Sequence, residues 1–232
     1  MQPWKTIERV PTPEGILELR RRGDRSFLIT IDGRVLMTSD AHRSETALAQ
    51  LACDAVAERP RPRVLLGGLG MGFTLRAALD RLPPSARATV VDLNPAVVAW
   101  CKGPLAFLTK GATADRRVKI IVGDVARLIA DAPPASYDAV VLDLYEGPHG
   151  ANNRVSDPLY CRDALERTAE ALTPRGVLAI WSEEADKAFE RRLGERFEVT
   201  RHRGSRGGRS HLVYLATRQN RRRPSPSRAT SS

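Results

Sequence analysis

Four glycines, Gly67, Gly68, Gly70 and Gly72, crowd the six positions that follow the apolar run Val64-Leu65-Leu66. Glycine at that density removes the Cβ atoms where a chain must turn sharply, so the backbone can lie against a ligand while the N–H groups of a following helix face it. Twenty positions after Gly72, a second apolar run, Ala88 to Val91, ends in Asp92. A carboxylate at that distance suits the two hydroxyls of a ribose. Gly123-Asp124-Val125 puts another carboxylate at a helix start, where it can take the exocyclic amine of an adenine or cap the helix. The richest stretch is Asp143-Leu144-Tyr145-Glu146-Gly147-Pro148-His149-Gly150. It holds two carboxylates, a phenol and an imidazole in a loop bounded by glycine and proline, a setting in which reactive groups are presented.

These residues need a frame, and from Arg63 onward the sequence supplies one by alternating strand and helix. Strands are expected at 63–67, 87–92, 117–122, 137–143, 176–181, 196–202 and 210–217, with helices at 71–82, 95–101, 124–131, 157–172 and 183–193. That pattern predicts an α/β fold, a seven-stranded Rossmann-like sheet with helices on both faces. The last two strands follow each other without a helix and are expected to pair antiparallel. Each candidate residue then stands at the carboxyl end of a strand, where ligands of such sheets bind. The first 39 residues form a separate small β-meander: Ile16 to Leu19, Ser26 to Ile31 and Arg34 to Thr38 are short and β-rich, and Asp32-Gly33 is a two-residue hairpin signal. Ser39 or Asp40 can cap the next helix, whose Leu48, Leu51, Ala52, Ala55 and Val56 share a face. The expected organisation is therefore meander (1–39), helix and linker (40–62), nucleoside-binding domain (63–217) and basic tail (218–232).

Composition narrows the classes. The chain of 232 residues has a formal charge of +10, but nine of its 37 basic residues and none of its 27 acids lie beyond residue 200, so the first 200 are nearly balanced. The segment from Arg218 is polar and proline-broken and is expected to be a disordered tail. Basic tails can hold nucleic acid, although no aromatic residue is interleaved here for base stacking. No stretch approaches the roughly 20 apolar residues of a membrane span and the first residues have no apolar signal core, so the expected location is cytoplasmic, with no membrane partner. Cys53, Cys101 and Cys161 lack CxxC spacing and read as buried thiols on helices; with four scattered histidines, no metal site is expected.

Seven strands ending this way resemble the S-adenosylmethionine-dependent methyltransferase fold, and the motifs resemble the spermidine synthase family of aminopropyltransferases from about Gly15 to Thr217. That family carries an N-terminal β-domain and a glycine turn of the form GGGDGG followed closely by Arg; here the turn is GGLGMG, followed by Arg76. The resemblance puts Asp92 at the family's ribose-binding acid and Gly123-Asp124 at its adenine-binding pair, with Gly67, Gly68, Gly70, Gly72, Leu93, Val125 and Asp143 as further cofactor contacts. The family's catalytic loop, roughly DSSDP, falls on Asp143 to Pro148. It implies that Asp143 helps to deprotonate an attacking amine and Glu146 holds the substrate's ammonium group, with Tyr145 beside them as a wall or hydrogen-bond donor. Two departures stand out. Gly70 replaces the turn's acid, which in the family contacts the aminopropyl end of the donor. The family's Tyr-His-Glu appears as Arg43-Ser44-Glu45, which keeps only the acid and adds a cation unsuited to a diamine.

Three readings fit. The first is an aminopropyltransferase-like enzyme that uses S-adenosylmethionine or its decarboxylated form and alkylates a small-molecule amine. The second is a methyltransferase on the same fold, with an unspecified acceptor. The third is a non-catalytic nucleoside-binding module with a nucleic-acid-binding tail. Members of the resembled family often dimerise through the β-domain, which makes a homodimer an expectation here.

Overall fold

The computed structural model describes residues 2–145, 147–150, 156–204 and 211–219. Strands β1 (Lys5–Thr12), β2 (Gly15–Arg22), β3 (Ser26–Ile31) and β4 (Arg34–Thr38) form an antiparallel meander in that order. The Asp32-Gly33 turn has positive φ at both residues, 45° and 77°, as a primed hairpin turn requires. Strand β1 is additional to the three expected strands. Its sequence, KTIERVPT, is mostly exposed and has no buried alternation to betray it; pairing to β2, from Lys5 opposite Arg21 to Thr12 opposite Gly15, holds it in place.

Helix α1 (Arg43–Asp54) follows with Leu48, Ala49, Ala52 and Cys53 buried. Its N-cap is His42, whose side chain makes no capping bond. Ser39 and Asp40 do not cap it. Ser39 instead accepts a hydrogen bond from the Phe27 N–H at 2.8 Å, a long-range demand of the meander that local sequence does not announce.

The large sheet contains β5 (Arg63–Gly67), β6 (Arg87–Asp92), β7 (Val118–Val122), β8 (Tyr137–Leu142), β9 (Leu172–Ser182), β10 (Phe197–Gly204) and β11 (His211–Arg218), in spatial order β10-β11-β9-β8-β5-β6-β7. Its first five strands run parallel, and β11 is antiparallel to both neighbours, inserted between β9 and β10. Helices α2 (Phe73–Arg81), α3 (Pro95–Lys102), α4 (Val125–Ala130), the short α5 (Gly147–Gly150), α6 (Arg162–Ala171) and α7 (Lys187–Gly194) connect them.

Period-two alternation in β5 explains the two layers. Val64 and Leu66 face one core with Leu48, Leu75, Leu79 and Trp100, while Leu65 faces the other with Val140, Leu142, Leu165, Phe189 and Tyr214. Leu17, Leu19, Phe27 and Ile29 of the meander belong to the first core, so the small sheet is packed onto the large one.

Several boundaries move for local reasons. Helix α6 starts at Arg162 because Asp157-Pro158 forms a turn, in which the Asp157 carboxylate accepts from the N–H groups of Leu159 and Tyr160. This leaves Cys161 as the N-cap. Helix α7 starts at Lys187, where Asp186 accepts from Ala188 and Phe189. Strand β9 begins at Leu172, paired with Tyr137 before a register shift. Arg218, placed in the tail by the sequence, pairs with Phe197 as the last residue of β11; residues 220–232 of that tail lie outside the described residues. Among the described residues no helix is long and apolar enough to cross a membrane. All three cysteines are buried, and burial pushes the thiols of Cys53 and Cys101 up to about 12, far from a reactive thiolate at neutral pH.

Candidate active site

Register gathers the candidate residues at one edge of the sheet. Gly67 lies beside Val91 on one side and Leu142 on the other, and Asp92 lies beside Val122. The next residues along these strands therefore emerge together. The glycine turn leaves β5 with φ of 89° at Gly68, 52° at Gly70 and 84° at Gly72. A Cβ on Gly68 would stand 2.3 Å from the carbonyl oxygen of Asp143, and the Asp143 N–H donates to the Gly67 carbonyl at 2.9 Å. Turn and loop are thus stitched together.

Asp92 does two jobs in this geometry. Its Oδ2 accepts from the Leu69 N–H at 2.8 Å and its Oδ1 from the Asn94 N–H at 2.9 Å, so it shapes the turn. Desolvation raises its pKa, while the backbone donors Asn94, Leu69 and Gly70 pull the other way. Each carboxylate oxygen has a second lone pair, which leaves it able to accept from a ribose hydroxyl. Leu93 and Val122, 56% and 52% exposed, stand open at the ends of β6 and β7, an apolar pair suited to a flat ring. Asp124 caps α4 through Oδ1, which accepts from Ala126 at 2.8 Å, and the residue is otherwise exposed toward this edge. Val125 is buried beneath Gly67, where a Cβ would come within 3.0 Å of it, so its side chain supports the turn and does not line the cleft.

Asp143, at the end of β8, accepts a short hydrogen bond from the Thr74 hydroxyl in the first turn of α2. Desolvation pushes its carboxyl up to about 7; the Thr74 bond opposes that and the charge of Glu45 adds to it. A carboxylate poised there can accept a proton near neutral pH. The Tyr145 ring is 48% exposed and lies under the Arg34 guanidinium, 4.7 Å from ring centroid to Cζ, which ties the loop to the meander hairpin. Glu146 and the side chain of His149 lie outside the described residues. Gly147 presses onto β9, since a Cβ there would meet the Trp181 carbonyl oxygen at 2.4 Å.

The end of β4 and the connector that follows it roof the glycine turn. A Cβ on Gly70 would lie 2.8 Å from Met37 Cε, and His42 stacks on Phe73 with ring centroids 4.1 Å apart. Arg43 is exposed. Arg76 turns along its own helix to Asp80 at 2.6 Å. Motif spacing assigned no role to Thr74, Met37 or His42. Their only signal was position, a hydroxyl at a helix start after the glycines and a last meander strand and connector close enough in sequence to cross them. Among the described residues no group of three or more His, Cys, Asp or Glu side chains is arranged to hold a metal.

No family model matches the chain. It is 30% identical over 162 residues to the polyamine aminopropyltransferase of Mycobacterium tuberculosis, which covers 69% of this chain and 29% of that protein. It is 28% identical over 156 residues to putrescine N-methyltransferase 4 of Nicotiana tabacum, covering 67% of this chain and 38% of that one. The chain thus spans well under half the length of these relatives. The spermidine synthase from Thermotoga maritima superposes with a TM-score of 0.71 at 18% identity, over 91% of this chain and 72% of that one, a likeness of fold.

Proposed function

The chain is a spermidine synthase-like member of the polyamine aminopropyltransferase family, and from that premise we propose that it transfers an aminopropyl group from decarboxylated S-adenosylmethionine to an amine. The observation that carries the proposal is Asp143, a desolvated carboxyl with a pKa of about 7 fixed against the glycine turn. A sulfonium is an activated leaving group, so the protein has mainly to align the amine and keep it neutral. Asp143 removes one proton from the incoming ammonium. The amine nitrogen then attacks the carbon bonded to sulfur, the C–N bond forms as the C–S bond breaks, and a neutral thioether nucleoside leaves. In this reading Asp92 takes the ribose hydroxyls, Leu93 and Asp124 the adenine, the backbone from Gly67 to Gly72 the sulfonium side, and Glu146 the acceptor's distant ammonium.

Methyl transfer from S-adenosylmethionine is the second reading. Gly70 has no side chain and the Met37 thioether fills the space beside it, so the turn offers a donor's ammonium no carboxylate of its own; the similarity to a putrescine N-methyltransferase points the same way. Calorimetry with the two donors separates the readings. The decarboxylated donor is expected to bind at least about ten-fold more tightly, a difference of about 1.4 kcal/mol. The opposite order would transfer the protein to the second reading.

A further inference from the structure

The charge of a second carboxylate, from another element, acts on Asp143. Glu45 stands in the first turn of α1, and its charge acts on Asp143. The His42 ring, just before α1, stacks on Phe73 with 14° between the planes, and the neighbouring Thr74 holds Oδ2 of Asp143. The stack pins the start of α1 to the start of α2, so the first turn that holds Glu45 lies alongside the first turn that holds Thr74. Ser44 donates to Oε2 of Glu45 at 2.5 Å and leaves Oε1 for another donor.

Two buried polar atoms of the flanking elements have no hydrogen-bond partner among the described residues, Nδ1 of His42 and the hydroxyl of Tyr160. Tyr160 is 5% exposed, and the charge of Asp143 acts on its phenol. Buried polar groups are almost always paired, and like charges brought together are costly unless a proton or a cation joins them. All of these groups can accept a hydrogen bond. An ammonium donates three and carries the charge that both carboxylates lack.

We propose that Glu45 is a further substrate-contacting residue, whose carboxylate holds the same acceptor nitrogen as that of Asp143. The proposal rests on the transferase reading above. The acceptor arrives as an ammonium, and one proton passes to Asp143. The neutral amine then turns about its C–N bond so that one of its two N–H groups is held by Glu45 and the other by the second oxygen of Asp143, which aims the lone pair at the carbon bonded to sulfur. After the C–N bond forms and the C–S bond breaks, the positive charge lost from sulfur is on nitrogen, and the proton on Asp143 passes to water. The ionisable groups whose charges act on or are acted on by Asp143 are Glu45 from α1 and Tyr160 from the turn before α6, and Asp157 in turn acts on Tyr160.

The test is Glu45→Gln in the full chain, which keeps the size and the helix. Putrescine binding by calorimetry is expected to weaken about ten-fold or more, as for loss of a hydrogen bond to a charged group. Decarboxylated donor affinity is expected to stay unchanged. The Asp143 titration, followed by carboxyl-carbon NMR, is expected to move down by about half a unit or more as the neighbouring charge is removed. Glu45→Asp should recover part of the binding. Unchanged amine affinity overturns the proposal, whether or not the titration moves. A wild-type protein that binds putrescine but transfers nothing to it overturns the transferase reading instead, and the amine affinity of Glu45→Gln still decides whether Glu45 is a contact.

Discussion

Asp143→Asn is expected to slow transfer about 10³-fold, within the range spanned by loss of a positioned general base, while donor affinity changes little. Asparagine fills the same space and its carbonyl can still accept from Thr74, so the turn keeps its shape. Only the proton acceptor goes. The wild-type rate should rise with pH through about 7, since the ionised carboxylate is the active form, and the variant should lose that limb.

Stability should run in the opposite direction. The folded-state pKa of Asp143 lies near 7, above the ordinary 3.8, so folding favours the protonated form. The wild type therefore loses stability as pH rises from about 4 through about 7, and the asparagine variant does not. Thermal unfolding at pH 5 and pH 8 checks this: the variant's gain on the wild type should be clearly larger at pH 8 than at pH 5. A variant no more stable than the wild type at pH 8 would mean that burial does not strain Asp143, and one that transfers at the wild-type rate would mean that Asp143 is not the base.

The second large effect is expected at Gly68→Ala, with a loss of about 4 kcal/mol, at the upper end of what single substitutions cost. Two causes add. The φ of 89° disfavours any Cβ, and that Cβ would lie 2.3 Å from a backbone oxygen, that of Asp143, which cannot swing aside as a side-chain tip can. At this chain length the melting point should fall by roughly 10 °C. Gly33→Ala is the control, because its φ is 77° but nothing lies within 4 Å of its Cβ. It should cost only the left-handed strain, about 1 kcal/mol. Equal losses at the two positions would show that strain alone matters and that the contact between turn and loop is unimportant.

The parts of the fold that were legible in the sequence are those with local causes. Strands β5 and β6 lie where their apolar runs are bounded by glycine and aspartate, and Asp92, Asp124 and Asp143 stand at strand ends because α/β alternation puts them there. Arg63 to Leu66 needs no partner to be recognised. Strand β1 does, because its exposed residues show no pattern until β2 pairs with them. The same holds at the site. Thr74 and Glu45 are distant from Asp143 in sequence, yet the Thr74 hydroxyl bonds to its carboxylate and the charge of Glu45 acts on it, a juxtaposition made by the fold, in which His42 stacks on Phe73 and the Asp143 N–H bonds to Gly67. Asp124 was open to two readings, and the structure fills one of them: it is an N-cap, with its second oxygen left for the other.

The measurement closest to the central claim is the mass of the product formed when the full chain is incubated with putrescine and either sulfonium donor. An added aminopropyl group, formed only from decarboxylated S-adenosylmethionine and suppressed by Asp143→Asn, is the predicted result. An added methyl group from S-adenosylmethionine, or an unmodified amine with both donors, would contradict it.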